Sequence, residues 1–265
     1  MVQGFEKYRV DYHWGAVRTI MPAESHLFGL VSEWDMTDTQ ENADKVRNPS
    51  VDRVQYWHNS LGYRGDEPDW EKPSVTFVGD ENTKCVGVDD HHMWTNMVAQ
   101  KQSVNAINFG RDGASNDWIM TQAVRVIEMH ETTLVVQWTD PSRYLWVDLK
   151  GKFWDFRPDV AIPKQSILGN PPEEARKAFY SIDTTKSGIH RLMLNTILLE
   201  QLAQTRGVKL VQVFSFLDPG VLSFVTPRVQ GVTNPIAYDH SARDGIHCGN
   251  AAMYRLTEWV TEKLT

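Results

Sequence analysis

Asp244 and His247 stand three residues apart in the turn that leads into the last amphipathic stretch of the chain. That spacing lets the carboxylate face imidazole Nδ1, fix the tautomer and leave Nε2 as a general base. Alone, such a pair is equally at home in a surface turn. A partner for it is offered by Ser74–Cys85, SVTFVGDENTKC, where the apolar run Val75–Val78 breaks on Gly79-Asp80 and carries Glu81 to a strand end. Two further polar strand ends, Asn108–Ser115 and Gln137–Asp140, belong to the same set, with Asp80, Asn108, Trp138 and Asp140 as candidate binding residues. Arg111, Asp112 and Arg143 suit a charged group, and Arg143 suits bidentate clamping of a carboxylate or phosphate. Trp138, Trp146 and Trp154 offer faces for sugar rings, although filling the core of a local insertion explains them as well. His91-His92 lacks a third ligand at a recognisable spacing, so no metal and no other cofactor is expected.

These residues are useful only if the fold brings them together, and the chain carries the required alternation. Strands are expected at Ser74–Gly79, Ser103–Phe109, Thr132–Trp138 and Val208–Phe214. Helices are expected at Asp89–Gln100, with Asp89 or Asp90 as N-cap, and at Asn116–Met129. Two more follow: Ser187–Arg206, closed by Gly207, and Asn250–Leu264, with Met253, Leu256, Val260 and Leu264 on one face. The pattern predicts an α/β fold, a three-layer α/β/α domain with a mostly parallel sheet over residues 71–265. Open parallel sheets bind ligands beyond the carboxyl ends of their strands, where the polar segments above fall. An insertion at about 141–180 reads as a hairpin around Lys150-Gly151 and a short helix opened by Pro171-Pro172. Residues 1–70 read as an N-terminal cap, in which Tyr56–Gly65 forms a turn before the first core strand.

The bulk properties exclude several classes. A chain of 265 residues, 41% hydrophobic and 23% charged, can bury a substantial core. Its net charge of −7, with no basic stretch, argues against nucleic-acid partners. No apolar run approaches the ~20 residues of a membrane span, and the N-terminus lacks the apolar core of a secretory signal. The expectation is a soluble protein, cytoplasmic or virion-associated, without a membrane partner. Cys85 and Cys248 are too few for a disulfide framework and read as buried free thiols that flank two of the motifs.

Taken together, GDE at the first strand end, NFGRDGAS after the second, a polar loop after the third and DGIH before the last helix resemble the SGNH hydrolase family, also called GDSL esterases. The resemblance runs from about Asn59 to Leu264, and its lead-in is NSLGYRG. It implies a mostly parallel, five-stranded, flavodoxin-like sheet, an acid–base pair at Asp244 and His247, and an oxyanion hole at Gly113 and Thr139. It also implies a serine nucleophile, and at that position this chain has Glu81. The third motif departs too, with Thr139 in place of its Asn. A carboxylate is a poor nucleophile toward esters, and its charge would sit where the tetrahedral oxyanion forms. Glu81 is instead expected to pair with His247 and hold it protonated.

Three readings follow from the resemblance and these departures. The first is a hydrolase-like protein, related to esterases and deacetylases, whose activity toward carbohydrate or lipid esters is impaired or lost. The second keeps hydrolysis, through water activated by Glu81 and His247 or through Ser115 or Cys85 as nucleophile. The third is a glycan-binding or structural module, such as a virion-associated subunit, a homo-oligomer or a part of a larger assembly.

Overall fold

The computed structural model describes residues 31–32, 44, 54–129, 133–147, 153–156, 173–182, 185–214, 217, 220–221, 223, 231–232, 242–243 and 247–265. Strands β1 (Val31–Ser32) and β2 (Tyr56–Trp57) form a small antiparallel pair. The main sheet contains β3 (Ser74–Gly79), β4 (Asn105–Gly110), β5 (Thr133–Gln137), β8 (Leu210–Val213) and β9 (Gly231–Val232). Its order is β4-β3-β5-β8-β9 and every pairing is parallel. An antiparallel hairpin, β6 (Tyr144–Val147) with β7 (Phe153–Phe156), stands apart from it.

Six α-helices are described: α1 (Glu81–Lys84), α2 (Trp94–Gln102), α3 (Asn116–Met129), α4 (Glu173–Ile182), α5 (Thr185–Arg206) and α6 (Asn250–Leu264). The strand sequences show why the sheet is covered on both faces. Val78, Ile107, Phe109, Leu134 and Val136 point to one core with α3 and α5, through Trp118, Ile119, Ala123, Leu192 and Leu199. Val75, Phe77, Val135, Val211 and Val213 point to the other, with α2 and α6. Alternate residues thus enter opposite cores, and a strand buried on both faces reads as a continuous apolar run. The expected face of α6 is buried, and each of Met253, Leu256, Val260 and Leu264 contributes about 1.5–3 kcal/mol. The α/β/α reading is therefore the observed architecture.

Several boundaries differ from expectation. The helix expected from Asp89 begins instead as a 3-10 turn, Asp90–His92, with the Asp89 side chain accepting from His92 N–H. Met93 then adopts an extended ψ of 121°, and the α-helix starts only at Trp94. Helix α1 has no counterpart in the sequence reading. The tip of the expected hairpin, Lys150-Gly151, and Pro171-Pro172 lie outside the described residues, as does most of the N-terminal cap. Among the described residues, no helix is long and apolar enough to cross a membrane.

The sheet order places a switch point at β3 and β5: the chain leaves β3 toward β4 on one side and returns to β5 on the other. The crevice beyond the carboxyl ends of these strands is where such sheets hold ligands.

Candidate functional site

Asp80 and Glu81 emerge from β3 into this crevice. The Asp80 side chain caps α1, with Oδ1 accepting from Asn82 N–H at 2.9 Å. All four residues of α1 are buried despite their polar character. Burial is tolerated because the carbonyls of the turn find donors. Trp94 Nε1 donates to Asn82 O (3.0 Å), Asn108 Nδ2 to Thr83 O (2.8 Å), and Arg64 Nη1 to Cys85 O (2.6 Å). The Thr83 hydroxyl donates to Gln137 Oε1 at 2.6 Å. Close approach is possible because Gly79 and Gly110 sit side by side at the ends of β3 and β4. A Cβ on Gly110 would lie 2.2 Å from Lys84 N.

The Glu81 carboxylate, 5% exposed, is held at both oxygens. Arg143 Nη1 donates to Oε2 at 2.7 Å, and Nη2 bonds Oε1. Gly113 N–H donates to the same Oε2 at 3.1 Å, from a backbone with φ of 72°. Arg143 also lies 3.5 Å from Asp80 Oδ2, and its side chain is 16% exposed. One guanidinium thus serves two buried carboxylates. Burial, with the charge of Glu81 adding to it, pushes the Asp80 carboxyl up to about 6, against the opposing pull of Arg143 and the Thr139 hydrogen bond.

That shift has a testable sign. An acid whose folded pKa lies above its ordinary 3.8 binds more protons in the folded state between about pH 4 and 6. Stability from this group is therefore full at low pH and lost as pH rises through that window. Asp80→Asn keeps the cap but removes the titration. The variant is expected to lack the native protein's decline between pH 4 and 6.5 in urea unfolding, and at pH 7.5 to match or exceed it by up to about 3 kcal/mol. A variant weaker than native by more than about 1 kcal/mol at pH 7.5 would show that Arg143 and Thr139 outweigh desolvation.

The remaining sequence candidates separate into those the fold brings here and those it does not. Gly113 faces Glu81, as described. Thr139 is buried and donates its hydroxyl to Asp80 Oδ2 at 2.6 Å, while its backbone N–H and C=O are tied to the Asn116 amide. Asp140 is exposed and accepts from Ser142 N–H at 2.7 Å, forming the turn that presents Arg143. The Asn108 amide donates to Thr83 O and Thr95 Oγ1 and accepts from Gly110 N–H, so it holds α1 in place. Trp138 lies at the end of β5. It is fully buried in the core with α3 and α5, and its indole donates to Gln212 Oε1 at 2.9 Å, so it presents no face to a sugar.

Ser115 and Cys85 are corrected as nucleophile candidates. Ser115 is buried and its Oγ accepts from Trp118 N–H as the cap of α3. Cys85 is buried, its thiol pushed up to about 12 by burial, far from the thiolate a nucleophile needs. Cys85 and Cys248 are free thiols in one apolar cluster. His247 is buried near the start of α6, and Asp244 lies outside the described residues. Arg143 is an ion-pair partner of Glu81 that the sequence did not point to. His92 Nδ1 lies 2.8 Å from Asp89 Oδ1, and no cluster of metal-ligating side chains occurs among the described residues. Trp146 and Trp154 are partners in the backbone register of the β6–β7 hairpin.

Sequence reasoning missed the role of Arg64. Its buried guanidinium bonds Cys85 O, Val88 O and Asp90 Oδ1 and lies 4.4 Å from the centre of the Tyr56 ring. It anchors the chain just after α1 and so fixes the turn that carries Glu81. The signal was the pair Gly62 and Gly65, both with positive φ, which fold the loop tightly enough to drive Arg64 inward.

No protein-family model and no curated protein matches this sequence. Solved structures do. A lipolytic-type protein of the G-D-S-L family from Desulfitobacterium hafniense is 8% identical, with 72% of this chain and 98% of that one covered and a TM-score of 0.41. An acetyl xylan esterase from Butyrivibrio proteoclasticus is 10% identical, covering 77% of this chain and 65% of that one, with a TM-score of 0.44. A protein described as an SGNH hydrolase, from Slackia heliotrinireducens, is 13% identical, covering 73% and 99%, with a TM-score of 0.32. Two of the three bear the family name that the sequence motifs resemble. What the site does follows from its own residues.

Proposed function

We propose that this chain is a non-hydrolytic domain of the SGNH-hydrolase type, related to enzymes of carbohydrate or lipid esters but closed at its reacting centre by Glu81. The observation that carries the reading is the carboxylate of Glu81 held by Arg143 and by Gly113 N–H. In an ester hydrolase, a backbone N–H at such a place would receive the negative oxygen of the tetrahedral intermediate. Here the Glu81 carboxylate already accepts from it. Both Glu81 oxygens are engaged, which also disfavours Glu81 as a base for water.

Ester turnover tests this directly. With a short-chain chromogenic ester, the native protein is expected to stay below about 10⁻⁴ s⁻¹, against the 1–10³ s⁻¹ of ordinary enzymes. Glu81→Ser frees the Gly113 N–H and supplies a hydroxyl, so its turnover is expected to rise at least about 100-fold above native. Turnover near 1 s⁻¹ by the native protein would overturn the proposal. A silent variant would place the loss at more positions than 81, beginning with Thr139.

A further inference from the structure

We infer that Arg143 and the Gly113 N–H form a receptor for a small planar carboxylate, which the chain fills with its own Glu81. The Arg143 fork gives the two carboxylate oxygens parallel donors, and Gly113 adds a third from the opposite chain segment. Two N–H···O bonds from one guanidinium match the planar spacing of a carboxylate and suit a tetrahedral anion less specifically.

The receptor is held by contacts that do not involve Glu81. Arg143 N–H donates to Asp140 O, Nη1 reaches Ala114 O at 3.4 Å, and Asp80 lies alongside the guanidinium. Asp80 is the obvious competitor for a vacated fork. Its oxygens are already committed, Oδ1 to Asn82 N–H and Oδ2 to the Thr139 hydroxyl, so it is restrained from swinging across. Truncating Glu81 to alanine removes a CH₂–COO⁻ unit, which is the size, shape and charge of acetate. The buried charge balance of the native site is restored when acetate enters.

The inference goes beyond the loss of hydrolysis and does not depend on it. Ester turnover by the native protein would remove the proposed function and leave the receptor standing, and the experiment here would do the reverse. Thermal unfolding of Glu81→Ala is compared in 100 mM sodium acetate and in 100 mM sodium chloride. With millimolar affinity, acetate is expected to raise Tm by about 4 °C, saturating with concentration. The native protein, its receptor occupied, is expected to move by less than about 1 °C. Arg143→Lys in the Glu81→Ala background keeps the charge but loses the fork, and is expected to lose at least about half of the acetate effect. If Glu81→Ala does not fold in chloride, recovery on refolding in acetate replaces Tm as the readout. No acetate-specific gain in either measurement overturns the inference, and an equal gain from sulfate or phosphate overturns the planar-carboxylate assignment.

Discussion

Arg143→Met is expected to lower the unfolding free energy by about 3–5 kcal/mol, the cost of removing one partner from a buried ion pair. The reason is the imbalance already present around it. Asp80 and Glu81 are adjacent, both nearly fully buried, and both lie within ion-pair distance of the same guanidinium. Without it, two carboxylates share a site that water does not reach, and the fold must protonate one or open. An exposed pair would cost only about 0–1 kcal/mol, so the measurement also reports how enclosed the site is. Arg143 retains some exposure, which places the expectation toward the lower end of the range. Glu81→Gln keeps the shape and can still accept from Gly113 N–H, so the double variant Glu81→Gln/Arg143→Met is expected to recover about 2 kcal/mol or more as a coupling energy. Chemical denaturation of the native protein, both single variants and the double variant closes the cycle. Additive losses would mean that the pair does not hold the site.

The fold was largely legible because its physics is local. Strands buried on both faces must be apolar throughout, and helices packed on one side of a sheet must be amphipathic. Val75–Val78, Leu134–Val136 and the buried stripe of α6 obey those rules. Gly207, at a φ of 68°, ends α5 as its position in the sequence indicated. Helix α1 was illegible for the opposite reason. ENTK has no apolar residue to set a period, and its helical turn exists because Asp80 caps it and because two neighbouring glycines clear a place for it.

Individual site residues could be read, but their pairings could not. Glu81 at the end of the first core strand and Arg143 as a guanidinium suited to a carboxylate were each visible. Nothing in the sequence says that loops 62 residues apart meet, so the clamp's partner appeared only in three dimensions. The burial of Trp138 had a signal in the sequence. It continues the alternation of Leu134 and Val136, which enter the core with α3 and α5, and the strand's period places the indole there too. Ser115 likewise stands three residues before Trp118, the spacing of a helix cap, and caps rather than reacts.

Gly110→Ala is expected to be among the most damaging single changes in the domain, at about 3 kcal/mol or more. Its Cβ would approach Lys84 N to 2.2 Å, Thr83 C to 2.5 Å and Lys84 Cα to 2.7 Å. All three belong to backbone, so no rotamer change relieves the clash and α1 must move as a unit. Gly79→Ala meets a different obstacle, the Thr83 side chain, with Oγ1 at 2.0 Å and Cβ at 2.8 Å. Thr83→Ala removes the nearer of those atoms and is expected to recover part of the loss at Gly79, but none of the loss at Gly110. The displacement at Gly110 has a consequence for the site, because Glu81 is the first residue of the turn that must shift. Moving α1 away from β4 draws the carboxylate from Gly113 N–H and loosens its fit to Arg143. Adding Arg143→Met to a Gly110→Ala protein is therefore expected to cost at least about 1 kcal/mol less than adding it to the native protein. Equal costs in the two backgrounds would show that the carboxylate cradle does not depend on where the glycine pair seats α1.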